Sequence, residues 1–114
     1  MNKQTGDRGE QLAADYLTGK GYEILEKKFK TKMGEIDIIA RDGDYTVFVE
    51  VKTRTGLKMG YPREAVGYAK QQKIRKTALC YLSLKQNGQA DMRFDVVEII
   101  GAGPVTIEHI TDAF

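Results

Sequence analysis

Apolar positions recur along the chain with two different periods, and the switches between them divide it into elements. From Asp7 to Lys20, the residues Leu12, Ala13, Tyr16 and Leu17 fall on one stripe, as residues three and four apart do on a helix. Asp7 supplies a capping oxygen for that helix, and Gly19 and Gly21 flank Lys20 at its end. Tyr22 to Lys30 predicts a short strand, with Tyr22, Ile24 and Leu25 as its apolar members. The densest strand signal comes next. GEIDIIAR runs from Gly34 to Arg41 and YTVFVEVKT from Tyr45 to Thr53, both rich in β-branched residues. Asp42-Gly43-Asp44 between them predicts a tight hairpin. Arg54 to Pro62 reads as a loop punctuated by Gly56, Gly60 and Pro62. A helical segment then runs to about Lys85, interrupted near Gly67. Its stripe is Ile74, Ala78, Tyr81 and Leu82, and Asn87-Gly88 ends it. Met92 to Ile100 predicts a strand and Val105 to Ile110 a weaker one. The order α-β-β-β-α-β-β predicts one α/β domain over residues 1–114, a small mixed sheet flanked by helices.

Strand alternation then decides where the charges go. Glu50 and Lys52 share one face of their strand, opposite Val47, Val49, Val51 and Thr53. A Gly43-Asp44 turn sets Asp37 opposite Glu50, whereas an Asp42-Gly43 turn sets it opposite Phe48. Both registers leave Asp37, Glu50 and Lys52 on one face; a longer loop with a bulge would break the arrangement. Two nearby carboxylates resist joint ionisation. A divalent cation relieves that cost, and an all-oxygen donor set suits Mg²⁺ or Mn²⁺. A lysine beside such an ion can orient or deprotonate an attacking water, or neutralise charge on a phosphoryl oxygen. Glu10 points along the stripe of the first helix and needs a partner. The metal site would supply one, and Glu35 shares the face of Asp37 as a further outer ligand. Two plainer readings stand beside this one. The three residues could form an ordinary cross-strand ion-pair cluster, and Asp7 with Glu10 has the spacing of a capping box.

Composition narrows the classes. With 41% hydrophobic and 30% charged residues the chain is neither disordered nor membrane-embedded. It has no signal-type or bilayer-spanning stretch, which gives an expectation of a cytoplasmic protein without a membrane partner. The single cysteine, Cys80, allows no internal disulfide and no zinc cluster, and its apolar neighbours predict a core position. A net charge of +2 does not announce nucleic acid, but the distribution does. Lys52, Arg54, Lys58, Arg63, Lys70, Lys73, Arg75 and Lys76 lie in one stretch whose only acid is Glu64. A basic segment directly after an acidic site suits a phosphodiester backbone, with a solvated helix face as the plain alternative. Tyr61 and Tyr68 could border that surface. Base-reading motifs are absent, so recognition of shape or ends is expected. His109 stands on the final strand without a partner motif.

Glu10 on a first helix, Asp37 on a strand and Glu50-Val51-Lys52 on the next resemble the PD-(D/E)XK nuclease superfamily and its restriction-endonuclease-like core. Ile36 stands where the superfamily's name has proline. The stretches GDRGEQLAADYL, GEIDIIARD, VFVEVKTR and RFDVVEI resemble the YraN-like family of small uncharacterised bacterial proteins over nearly the whole chain. The resemblance implies a metal held by Asp37 and Glu50 with the Val51 carbonyl, completed by Glu10. Lys52 would be the lysine of the reaction, and Arg8 a phosphate contact. The same residues are similar to archaeal Holliday-junction resolvases, which implies a homodimer and branched DNA. Arg54, Lys73 and Lys76 would join Arg8 in holding DNA. The expected function is a Mg²⁺- or Mn²⁺-dependent nuclease cutting DNA in repair or recombination. The alternatives are a non-catalytic nucleic-acid-binding module of the same fold and a protein-interaction subunit with a structural acidic cluster.

Overall fold

The computed structural model describes residues 3–54, 66–85, 91–101 and 103–114, with side chains from Asp7 onward. The elements are α1 (Lys3–Gly19), β1 (Glu23–Thr31), β2 (Gly34–Asp42), β3 (Tyr45–Arg54), α2 (Tyr68–Leu84), β4 (Asp91–Ile100) and β5 (Thr106–Ile110). They are the helices and strands that the two periodicities predict, in that order. The strands form one mixed sheet in the order β1-β2-β3-β4-β5. The first three make an antiparallel meander, β4 runs parallel to β3, and β5 returns antiparallel. A parallel neighbour needs a crossover, and α2 is the element that makes it.

Each helix covers one face of the sheet. Ala13, Ala14 and Leu17 of α1 pack on Ile38, Ala40, Val47, Val49, Val97 and Ile99. Ile74, Ala78, Tyr81 and Leu82 of α2 pack on Ile36, Ile39, Phe48, Phe94 and Val96. The two lists contain an irregularity in β2. Alternation would send Ile36 to the side of Ile38 and Ala40, yet Ile36 joins Ile39 beneath α2. The strand therefore changes face between Ile36 and Ile38, at Asp37. Its neighbour β1 changes with it: Lys28, between the pairs Lys27↔Ile38 and Phe29↔Ile36, has a φ of +54°. Left-handed backbone at a non-glycine residue is uncommon and concentrates at functional sites.

Several expectations change. Helix α1 begins at Lys3, so Asp7 is an internal residue and not its cap. Asp7 instead pairs with Lys28 of β1 at 2.5 Å. The capping-box reading of Asp7 and Glu10 falls with it. Strand β3 continues through Arg54, which the sequence places in a loop. Cys80 is half-buried and lines an open apolar groove with Thr31, Met33, Lys76, Leu79, Ser83 and Leu84, outside the core. The glycine-punctuated loop with Lys58, Tyr61 and Arg63, and the Asn87-Gly88 helix end, lie outside the described residues. No helix among the described residues is long and apolar enough to cross a membrane.

His109 has a partner that the sequence did not reveal. Its Nε2 lies 2.7 Å from Asp95 Oδ2, and Lys20 Nζ lies 2.8 Å from its Nδ1. With the ammonium donating to Nδ1, Nε2 carries the hydrogen that Asp95 accepts. Asp95 also accepts from Arg93 Nε and Nη2, at 2.9 and 3.0 Å, and from the Asp112 N–H at 3.0 Å. Burial alone would push this carboxyl up, but those bonds outweigh it and hold Asp95 below the usual carboxylate range. Both side chains are sealed, Asp95 at 0% and His109 at 1% exposure, so the pair clamps the end of the chain and is not placed to meet a substrate.

Gly9 sets how closely α1 crosses β3. A Cβ there would stand 2.2 Å from Thr53 Cγ2. Alanine is worth up to about 1 kcal/mol more than glycine inside a helix, so an uncrowded Gly9→Ala would stabilise. The contact predicts the opposite sign, a loss of about 1–3 kcal/mol in denaturant unfolding. Adding Thr53→Ser, which deletes the opposing methyl, should restore most of it.

Candidate functional site

The hairpin between β2 and β3 fixes the register. Asp42 pairs with Tyr45, leaving Gly43 and Asp44 as the turn, and Gly43 takes a φ of +60°. Glycine with positive φ at the first turn position is the II′ arrangement, whose twist matches the flanking strands. Counting back from Ile38↔Val49 sets Asp37 against Glu50, the first of the two registers the sequence allows. The regular ladder stops at Ile38↔Val49. Where it stops, the Asp37 side chain takes over a backbone partner: Oδ2 accepts the Val51 N–H at 2.8 Å.

Four charged groups meet at this opening. Glu50 is 5% exposed, and its Oε2 lies 3.5 Å from Lys52 Nζ and closer still to Lys70 Nζ on the first turn of α2. Asp37 faces Glu50. Burial first, and then the charge of Glu50, push the Asp37 carboxyl up to about 7; the Val51 N–H only partly opposes them, and Glu10 adds to the rise. Burial opposes the charge on Lys70, but Glu50 outweighs it and raises Lys70 above the ordinary lysine value.

Glu10 approaches from α1, positioned by the Gly9–Thr53 contact one residue earlier. Its Oε1 is buried without a hydrogen-bond partner, and Lys28 Nζ stands off at 3.7 Å. Burial raises the Glu10 carboxyl; Lys28 opposes this, while Glu35 and Asp7 add to it. Glu35 itself is exposed and pairs with Lys30 at 3.9 Å, so it reaches the site through its field and not as a ligand.

A Glu10 oxygen buried without a hydrogen bond, and an Asp37 carboxyl raised by burial and then by Glu50, fit a place that could take a cation. The donors are hard oxygens, as Mg²⁺ or Mn²⁺ requires. Asp37 and Glu50 could hold such an ion with the Val51 carbonyl, and water would supply the other positions. Among the described residues no group of three His, Cys, Asp or Glu side chains is already arranged around a metal position. The site is therefore two carboxylates with Glu10 behind them, which suffices for Mg²⁺.

The basic residues divide. Arg8 is exposed on α1. Lys70, Lys73 and Lys76 follow one another at three-residue spacing on α2; Lys73 lies over Gly34, and Lys76 lies at the groove beside Thr31 and Met33. Arg54 is tied to the buried Glu98, Nε to Oε2 at 2.5 Å. Glu98 pairs in register with Lys52 on β4 and was missed in the sequence; its alternation with Val96, a residue on the α2 side, was the available signal. Arg75 spreads over Phe94 and Phe114 and is packing. Lys70 was counted in the basic stretch but not assigned to the site, since nothing in a sequence says where a helix N-terminus will stand.

A family model for an uncharacterised protein family, UPF0102, matches residues 9–99. The chain belongs to UPF0102, the YraN-like family. A UPF0102 protein of Thermodesulfovibrio yellowstonii is 50% identical over 111 residues, covering 97% of this chain and 96% of its own. One of Caldanaerobacter subterraneus is 50% identical over 119 residues, covering 100% and 98%. One of Syntrophus aciditrophicus is 51% identical over 115 residues, covering 100% and 91%. The UPF0102 match takes in Glu10, Asp37, Glu50, Lys52 and Lys70. It leaves out Arg8.

Asp37 gives a signed pH prediction. Its folded value, about 7, lies above the ordinary carboxylate value of 3.8. Between the two, the native state holds more proton than the unfolded chain, so stability falls as pH rises through that window. In metal-free buffer at pH 8, Asp37→Asn should stabilise the protein by on the order of 2 kcal/mol. The gain should vanish near pH 4, as read by urea unfolding at both pH values.

Proposed function

We propose that this UPF0102 protein is a metal-dependent nuclease that hydrolyses phosphodiester bonds of DNA, directed by DNA structure, in repair or recombination. The observation that carries the reading is the confrontation of Asp37 with Glu50 where the β2–β3 ladder opens, with Lys52 3.5 Å from Glu50. The order of these residues and the α/β fold agree with a PD-(D/E)XK assignment, which is part of the same proposal.

Each residue then has a task. Asp37 and Glu50, with the Val51 carbonyl, would hold Mg²⁺ or Mn²⁺. The cation would supply Lewis-acid stabilisation of charge on the scissile phosphate. The Val51 N–H fixes the Asp37 carboxylate, leaving its other oxygen for binding. Lys52, partly exposed and next to Glu50, orients the attacking water or neutralises charge on a phosphoryl oxygen. Water forms the new P–O bond, and the leaving deoxyribose oxygen departs with a proton. Arg8, Lys73 and Lys76 are exposed and can contact phosphates. Glu98 holds Arg54 through Nε, which leaves the outer guanidinium nitrogens for the backbone. A homodimer acting on branched DNA is the form that the resolvase likeness favours.

A second reading is a non-catalytic nucleic-acid-binding module. It is favoured by the closure of Lys70 on Glu50.

Purified protein incubated with linear, single-stranded, flapped and four-way-junction DNA in Mg²⁺ or Mn²⁺ separates the two. The wild type should cut at least one substrate. Asp37→Ala and Lys52→Ala should lose about 100-fold or more in rate. DNA binding without cutting by the wild type would select the binding module. A monomer mass at micromolar concentration, with and without a junction, would contradict the dimer.

A further inference from the structure

We propose that Lys70 occupies the cation's place at Glu50 in the metal-free protein and transfers to a substrate phosphate when a divalent cation enters. The inference rests on the metal-nuclease reading above and deepens it.

Charge counting comes first. Asp37, Glu50, Glu10 and Asp7 face Lys52, Lys70 and Lys28, four acids against three ammonium groups. A doubly charged ion entering this cluster turns its net charge positive, which favours release of an ammonium. The structure distinguishes the three. Lys28 is held by Asp7 at 2.5 Å as well as by Glu10. Lys52 has a side chain 26% exposed. Lys70 is 47% exposed, the most of the three, and both it and Lys52 sit on the same oxygen, Glu50 Oε2. A cation that takes Oε2 competes with Lys70 directly, and the half-exposed lysine stem has room to swing.

The position of Lys70 gives a second, independent argument. It is the third residue of α2, whose first turn contains no acid and whose Gly67 cap makes no side-chain hydrogen bond. A cation at a helix N-terminus is unfavourable by the macrodipole, so helix stability does not explain a lysine there. The contact with Glu50 does. Once displaced, Lys70 stands at the positive end of α2, with Lys73 and Lys76 continuing the basic row. An anionic phosphodiester next to the metal is what that arrangement would attract. Metal entry and phosphate capture are then coupled through one side chain.

Calorimetric titration of Mn²⁺ without nucleic acid tests the first half. Lys70→Met should bind Mn²⁺ about tenfold more tightly than the wild type, because a competing charge is gone. Lys85→Met, which removes the same charge at the far end of α2, should bind as the wild type does. Lys70→Gln repeats the measurement if the Met variant does not fold. The second half is read by anisotropy with a short DNA duplex, in a Lys52→Met background that holds chemistry back. There, Lys70→Met should weaken duplex binding about fivefold with Mn²⁺ and less than about twofold without it. Unchanged or weaker Mn²⁺ binding by Lys70→Met, or an equal gain in Lys85→Met, overturns the stand-in role. An equal loss of duplex affinity with and without Mn²⁺ overturns the transfer. No Mn²⁺ binding by either the wild type or Lys70→Met would overturn the metal reading itself, a result distinct from the other two.

Discussion

The structure turns on two carboxylates brought face to face in a poorly solvated place. Asp37 and Glu50 meet because the hairpin register pairs them and because β2 changes face at Asp37. Neither arrangement is favourable by itself. A buried like-charge pair raises one carboxyl toward neutrality, and the face change requires Lys28 in a left-handed conformation. The surroundings offset these costs: the Val51 N–H supports Asp37, two lysines lie on Glu50, and Lys28 bridges back to α1. Acids gathered here and neutralised by lysines are the arrangement on which the proposed metal site rests.

Two neighbouring acid clusters of the sheet are built on opposite principles. On β4, in register with Val49, Asp95 is fully satisfied, with Arg93, His109 and the Asp112 N–H filling its acceptor positions. Arg93 continues to Asp42 and to the Tyr22 hydroxyl. A complete buried network of this kind rigidifies and specifies a packing. At the candidate site Glu10 Oε1 has no hydrogen-bond partner and Lys70 is half-exposed. A rigid α1 anchored at its C-terminal end through Lys20 and His109, and pressed onto Thr53 through Gly9, carries Glu10 to that site with little freedom.

The sequence made much of this legible for a physical reason. Period-2 and period-3.6 patterns separate cleanly here, and a two-residue glycine turn leaves few registers, so the meeting of Asp37 with Glu50 could be narrowed to two alternatives. What stayed hidden depends on tertiary approach. Asp7 looks like a helix cap by residue type, but the helix continues upstream and Lys28, distant in sequence, claims the carboxylate. Asp95 and His109 are brought together by β4–β5 pairing, not by any motif spacing, and Glu98 reads as an ordinary strand acid until Arg54 is found against it. Lys70 is one lysine in a basic run until α2 docks its N-terminus over Glu50. Family membership extends the description to the UPF0102 relatives, whose name carries no activity.

Anomalous diffraction at the manganese edge, from crystals soaked in Mn²⁺, tests the central claim most directly. The account predicts one peak between Asp37 and Glu50, about 2.1 Å from an oxygen of each, as hard octahedral cations require. A fully occupied surface peak elsewhere with none between these two carboxylates would contradict it.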